Sequence, residues 1–236
     1  MSLFSTFNTT FLFKQYIGLK KSFLKKGLLV GLTTNLLVII SFSQTELITD
    51  IPARHITGLN GKWQYNMDPY ETGFYDYRYK ERRQNDREAY WNSDVPDNKT
   101  DRKEHGYSDK YSLNVPGDWN SQAPKFLYYE GTVWCKKSFD FTESNASNRL
   151  FLYFGAVNYR ADVYLNGKKL GMHIGGFTPF NFEVPDSLLK AKGNYLVVRA
   201  DNKRGGDEVP TLNTDWWNFG GITREVNLVE VPETFI

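Results

Sequence analysis

The run NTDWWNFGGITREV, residues 213–226, places a carboxylate, Asp215, directly before two tryptophans, Trp216 and Trp217. An amide, Asn218, and a Phe-Gly-Gly turn signal follow. A hydrogen-bond acceptor beside flat apolar faces suits a ligand with hydroxyls on its rim and C–H groups on its faces, and a sugar is such a ligand. The same residues also suit an ordinary turn into a β-strand. In that reading Asp215 caps the turn, Asn218 supplies turn chemistry, and Gly220 and Gly221 permit the tight bend. Of the two tryptophans, one is expected in the core. Arg224 is expected to pair with a neighbouring acid.

A sugar-holding carboxylate is not yet a glycosidase. Glycoside cleavage needs two carboxyls facing one bond, roughly 5 Å apart for retention and 6.5–9.5 Å for inversion. Nothing in the sequence pairs two acids in this way. Glu183, Glu208, Glu225 and Glu230 read as solvated strand or loop residues. Other chemistries lack their signatures. Cys135 lies in an alternating strand with no helix start or histidine beside it, so it reads as a buried structural thiol. His55, His105 and His173 have no metal-ligand spacing, and there is no HExxH, P-loop, GxSxG or GxGxxG motif, so no metal and no cofactor are expected.

These residues need a scaffold, and the composition indicates which kind. The chain has 236 residues, of which 16% are aromatic, including 15 Tyr and 17 Phe, a bias toward strands. With 29 Lys+Arg against 27 Asp+Glu it is nearly neutral, which gives no reason to expect a nucleic-acid partner. Its single cysteine cannot form an internal disulfide. At the N-terminus five lysines (14, 20, 21, 25 and 26) precede an apolar run from Gly27 to about Phe42, and Ser41 and Ser43 are small residues preceding a cut before Gln44. Residues 1–43 read as a signal peptide, with an uncleaved membrane anchor as the alternative. Either way the folded part is exported, to the periplasm or outside the cell, and after cleavage it has no membrane contact.

Residues 44–58 read as a linker. A first strand is expected in LNGKWQYNM, followed by a long polar insertion over 68–109, with a helical turn or two near 82–90. After it strand signals recur steadily. YSLNVPGDW ends in a Pro-Gly turn, GTVWCKKSFDF alternates Val133 and Cys135, and RLFLYFGAV alternates Leu150, Leu152 and Phe154. Asn166-Gly167 marks a tight hairpin. FTPFNFEV, NYLVVRADN and ITREVNLVEV give further strands, with Asp186 expected to cap a short helical turn. Eight to ten short strands with almost no helix predict an all-β fold, a jelly-roll β-sandwich spanning residues 59–236.

Five stretches in order resemble the N-terminal sugar-binding domain of glycoside hydrolase family 2. They are LNGKW (59–63), VPGDWN (115–120), YYEGTVWCKKSF (128–139), ADVYLNGKKLGMHIGGFTPFNFEV (161–184) and DWWNFGGITREV (215–226). HIGGFTPF, NFGGITREV and DPYETG look most like the β-glucuronidase members, although Cys135 stands where a tyrosine is expected. The resemblance implies a galactose-binding-like jelly roll followed by an immunoglobulin-like sandwich and a (β/α)₈ barrel. In such enzymes the barrel supplies both catalytic glutamates of a retaining mechanism, and the jelly roll adds one carboxylate that hydrogen-bonds the sugar. By motif match that carboxylate is Asp215, with Asn218, Trp216 and Trp217 as its neighbours in the substrate-binding set. No catalytic residue is expected within these residues. The expected partner is a terminal β-linked carbohydrate. Three readings stay open: part of a secreted β-glycosidase, a free-standing carbohydrate-binding module, or a domain that docks onto a separate barrel.

Overall fold

Among the described residues the chain forms ten strands, most of them built on alternating β-branched and aromatic residues: β1 (His55–Gly58), β2 (Gly61–Asp68), β3 (Ser112–Val115), β4 (Thr132–Phe139), β5 (Arg149–Phe154), β6 (Arg160–Leu165), β7 (Lys168–Ile174), β8 (Phe180–Val184), β9 (Asn194–Asp201) and β10 (Val226–Val231). The structure is a computed structural model, which describes residues 47–76, 78–80, 107–142, 144 and 147–235. The expected signal peptide, the helical turns near 82–90 and most of the polar insertion lie outside these residues.

The strands pair antiparallel into two sheets, one in the order β1-β10-β5-β8 and one in the order β3-β2-β4-β9-β6-β7. Alternation decides which side chains meet between them. Leu150, Leu152 and Phe154 of β5 and Val226 and Leu228 of β10 face Trp63, Val133, Cys135, Val163 and Val198 from the larger sheet, and all belong to one buried core. This is the predicted jelly-roll sandwich. Cys135 is buried, and burial pushes its thiol up to about 12. The hairpin between β6 and β7 turns at Asn166 and Gly167, whose φ values of 48° and 80° are those the expected tight turn requires.

Both sheets are also covered on their outer faces. Trp134, Tyr164, Tyr195 and Val197 form a second buried cluster outside the larger sheet, and Tyr79 and Tyr107 pack on it. Tyr79 stacks on Tyr164 at 4.8 Å. The two described ends of the polar insertion therefore belong to the fold. Asp68 holds the first of them: its buried carboxylate accepts from the Thr72 and Gly73 amides at 3.0 and 2.8 Å and from Trp134 Nε1 at 2.8 Å.

Four expectations need correction. The stretch read as a linker supplies β1, which pairs with β10, and Ile48, which is buried against Phe151, Val229 and Val231 on the outer face of the smaller sheet. A short exposed edge strand with little apolar alternation carries no strand signal of its own. The last strand begins at Val226 rather than in ITRE. Asp186 is the first residue of a short 3-10 turn, Asp186–Leu188; Pro185 occupies the cap position, and no side chain caps the turn.

Glu230, read as solvated, is buried. It shares the inward parity of Val226 and Leu228 and sits opposite His55. It accepts from the Ser144 amide at 3.0 Å, from the Ser144 hydroxyl and from Asn148 Nδ2 at 3.3 Å, and pairs with His55 Nδ1 at 2.8 Å. Burial alone would raise its carboxyl, but the hydrogen bonds from Ser144, Asn148 and His55 outweigh it and hold the carboxyl below its ordinary value of 4.5. A depressed folded-state value contributes stability above the ordinary value and loses it as pH falls through the lowered one. Glu230→Gln is therefore expected to destabilise the protein by about 1–3 kcal/mol at neutral pH. Urea titrations should show that difference shrinking as pH drops below the ordinary glutamate value; a pH-independent difference would contradict the assignment.

Candidate functional site

The site forms where β4 begins and β9 ends. The residues of β9 alternate, with Leu196, Val198 and Ala200 facing the core and Val197, Arg199 and Asp201 facing out. The chain keeps this alternation past the last paired residue. Lys203 stays with the outward set, at 2.5 Å from Glu71, which also meets Arg199 at 3.0 Å. Asn202 and Arg204 continue the inward set, and both grip the loop that carries Asp215.

Asn202 is fully buried. Its Oδ1 accepts from the Gly131 amide at 2.8 Å, and its Nδ2 donates to the Asn218 carbonyl at 2.8 Å. Asn218 returns the bond by donating from Nδ2 to the Asn202 carbonyl, and its Oδ1 accepts from Asn158 Nδ2 at 3.1 Å. Asn120, on the loop after β3, accepts from the Gly220 amide at 2.9 Å and donates to the Phe126 and Tyr129 carbonyls at 2.8 and 3.1 Å. Gly220 leaves no room for a side chain, since a Cβ there would lie 2.1 Å from the Trp119 ring and 2.6 Å from Asn202 Nδ2.

Arg204 holds the outer part of the same loop. Its Nη1 donates to the carbonyl and hydroxyl of Thr214 at 2.9 and 2.7 Å, and its Nη2 donates to the Trp216 carbonyl at 3.0 Å. Its Nε lies 2.9 and 3.1 Å from the two carboxylate oxygens of Glu130. Together these residues frame a cleft of about 170 Å³ lined by Asn120, Tyr128, Glu130, Arg204 and residues 215–218. Asp215 is exposed there, and among the described residues its carboxylate has no hydrogen-bond or ion-pair partner.

All four residues expected to touch substrate line this cleft. They are not equivalent in it. Asp215 presents a free carboxylate. Trp216 is 67% exposed and Trp217 44%, so neither is in the core, contrary to expectation. Trp217 lies between Tyr128, at 5.3 Å and 32°, and Phe219, at 6.1 Å and 26°. The Asn218 side chain is taken up by Asn202 and Asn158, which makes it part of the frame. Arg224 is exposed and, contrary to expectation, makes no ion pair among the described residues. Sequence reasoning missed Asn202, Arg204, Asn120, Tyr128 and Glu130. The signal for the first two was present: in VVRADNKR they stand in step with Val198 and Ala200.

The description "Glycosyl hydrolases family 2, sugar binding domain" matches residues 56–232 of the chain. A β-glucuronidase of Bacteroides fragilis is 36% identical over 131 residues, covering 54% of this chain and 19% of that protein. A β-galactosidase of Thermoanaerobacter pseudethanolicus is 32% identical over 110 residues, covering 46% and 15%. Among solved structures, a β-glucuronidase from an uncultured Clostridium sp. superposes with a TM-score of 0.60 at 27% identity, covering 81% of this chain and 31% of that one. The chain thus spans less than a third of the length of each of these proteins.

The close approach at Gly220 yields a paired test. Gly220→Ala should cost about 1–3 kcal/mol in urea denaturation, because Trp119 and Asn202 must both move. Gly206→Ala, with nothing within 4 Å of the added methyl, serves as the control and should leave stability nearly unchanged. Equal effects of the two substitutions would contradict the packing described.

Proposed function

The chain belongs to the sugar-binding domain family of the family 2 glycosyl hydrolases, and from that premise we propose that it positions a terminal β-linked sugar for a retaining β-glycosidase of the β-glucuronidase or β-galactosidase kind. The observation that carries this reading is the Asp215 carboxylate, unpartnered among the described residues and set in a cleft beside exposed tryptophan faces. A carboxylate that accepts sugar hydroxyls makes charge-assisted hydrogen bonds worth about 1.5–3 kcal/mol each. Trp216 and Trp217 offer the C–H faces of the ring a surface to stack on. Asn218 keeps the loop in place without touching the ligand.

In this reading the chemistry belongs to a pair of glutamates on a barrel domain, and the domain contributes alignment. Bonds to hydroxyls that strengthen near the oxocarbenium-like transition state lower the barrier there. The exposed Tyr128, Trp216, Trp217 and Phe219 support the multidomain reading over a free-standing module, because solvent-facing aromatics gathered round one cleft are what a further domain would cover. The exported location rests on the lysine-rich, apolar N-terminus alone.

Two experiments test these statements. Purified Gln44–Ile236 titrated by NMR with methyl β-glucuronide, β-galactoside and β-mannoside should bind at least one of them without cleaving it. Asp215→Ala should weaken that binding about tenfold, the loss of one charged hydrogen bond. Binding of none, or turnover that disappears on replacing one of the chain's own acids, would overturn the reading. Mass spectrometry of protein exported from a bacterial host should show an N-terminus at Gln44, whereas membrane-retained protein starting at Met1 would favour the anchor.

A further inference from the structure

We propose that Arg204 is a positioning residue, whose guanidinium fixes the direction in which Asp215 presents its carboxylate. The proposal rests on the reading of Asp215 as the sugar-contacting group. Its basis is where the Arg204 donors go. One Nη reaches the Thr214 carbonyl at 2.9 Å and the other reaches the Trp216 carbonyl at 3.0 Å. The first carbonyl belongs to the peptide plane that precedes Asp215, and the second to the plane that follows Trp216. With both planes tied to one rigid, planar group, the torsions of the Asp215–Trp216 unit between them are confined.

A general loop-holding role does not require this arrangement. The loop is already fixed at Asn218 by Asn202 and Asn158, and at Gly220 by Asn120. The Arg204 contacts act only on the short segment that carries the free carboxylate. The guanidinium is itself oriented from behind, since Glu130 takes its Nε with both oxygens, at 2.9 and 3.1 Å. Glu130 also offsets the Arg204 charge, so Asp215 is not drawn into an ion pair with the residue that places it. The cleft thus has an anchored acid–base pair whose function is geometric and a second acid left free for ligand.

Lysine separates this from a simple charge effect. It keeps the positive charge near Glu130 but has no planar fork with which to hold two carbonyls at once. The test compares wild type, Arg204→Met, Arg204→Lys, Asp215→Ala and the Arg204→Met/Asp215→Ala double variant. Backbone hydrogen exchange at 214–217 and NMR binding of methyl β-glucuronide, methyl β-galactoside and methyl β-mannoside are the readouts. Arg204→Met and Arg204→Lys should both speed exchange in this segment about tenfold and weaken binding of the preferred glycoside by a similar factor. The double variant should bind no more weakly than Asp215→Ala alone, because the clamp acts through that carboxylate.

Unchanged exchange in both Arg204 variants overturns the proposal, as does wild-type behaviour of Arg204→Lys, which would leave only a charge effect. Wild-type binding by Asp215→Ala would instead sink the reading of Asp215, while the exchange data still decide whether Arg204 fixes the segment. If Arg204→Met does not fold, Arg204→Lys carries both readouts.

Discussion

Asn202 is enclosed on every side, and a buried carboxamide must find partners or forfeit about 1–3 kcal/mol for each group left bare. The fold meets that demand by bringing separate connections together at one point. Asn202 reaches back to Gly131, just ahead of β4, and forward to Asn218, ahead of β10. Asn218 in turn needs Asn158, from the connection between β5 and β6. Asn120 closes the set from the loop after β3 by taking the Gly220 amide. Loops distant in sequence are thus held by amide pairs that no solvent competes for.

The other constraint is that β4 and β9 are covered on both faces. Their inward residues fill the core between the sheets, while Trp134 and Val197 need cover on the outside. The described ends of the polar insertion provide it, through Tyr79, Tyr107 and the Asp68 carboxylate that receives the Trp134 indole. Glu71, three residues after Asp68, then meets Arg199 and Lys203 of the outward set. β9 and its continuation therefore serve two ends at once: odd-numbered residues tie down the insertion, and even-numbered residues build the site. A substitution at Arg199 and one at Arg204 would act on opposite sides of the same ribbon.

Much of this was legible in the sequence because it depends on local periodicity. The strands with clean alternation, such as RLFLYF, and the Asn166-Gly167 turn fall where their patterns place them. The cleft residues contiguous with Asp215 were legible for a similar reason, since a single short run carries them. What was not legible depends on contact across the fold. Glu230 looks solvated in VNLVEV until Ser144 and Asn148 supply its partners. His55 and Ile48 look like linker until β10 and Phe151 supply their partners. Arg204 looks like one more surface cation, and only the proximity of Thr214 and Trp216 gives it a role.

The cleft is uneven in a way that bears on how it would hold a sugar. Its polar side is tied down: Arg204 pairs with Glu130 and holds the Thr214 and Trp216 carbonyls, and Asn202 and Asn218 bond each other, whereas the Asp215 carboxylate is not engaged with the described residues. Its aromatic side is open, with Tyr128 at 81% exposure and Phe219 at 48% flanking Trp217. An acceptor on a backbone segment already held at both sides needs little reordering of its loop when a hydroxyl arrives. Exposed rings do the opposite. They gain only when something covers the part of each ring that is still exposed. Orientation would therefore come from Asp215. Further affinity would come from whatever completes the aromatic wall, whether the sugar's own C–H face or a further domain closing over it.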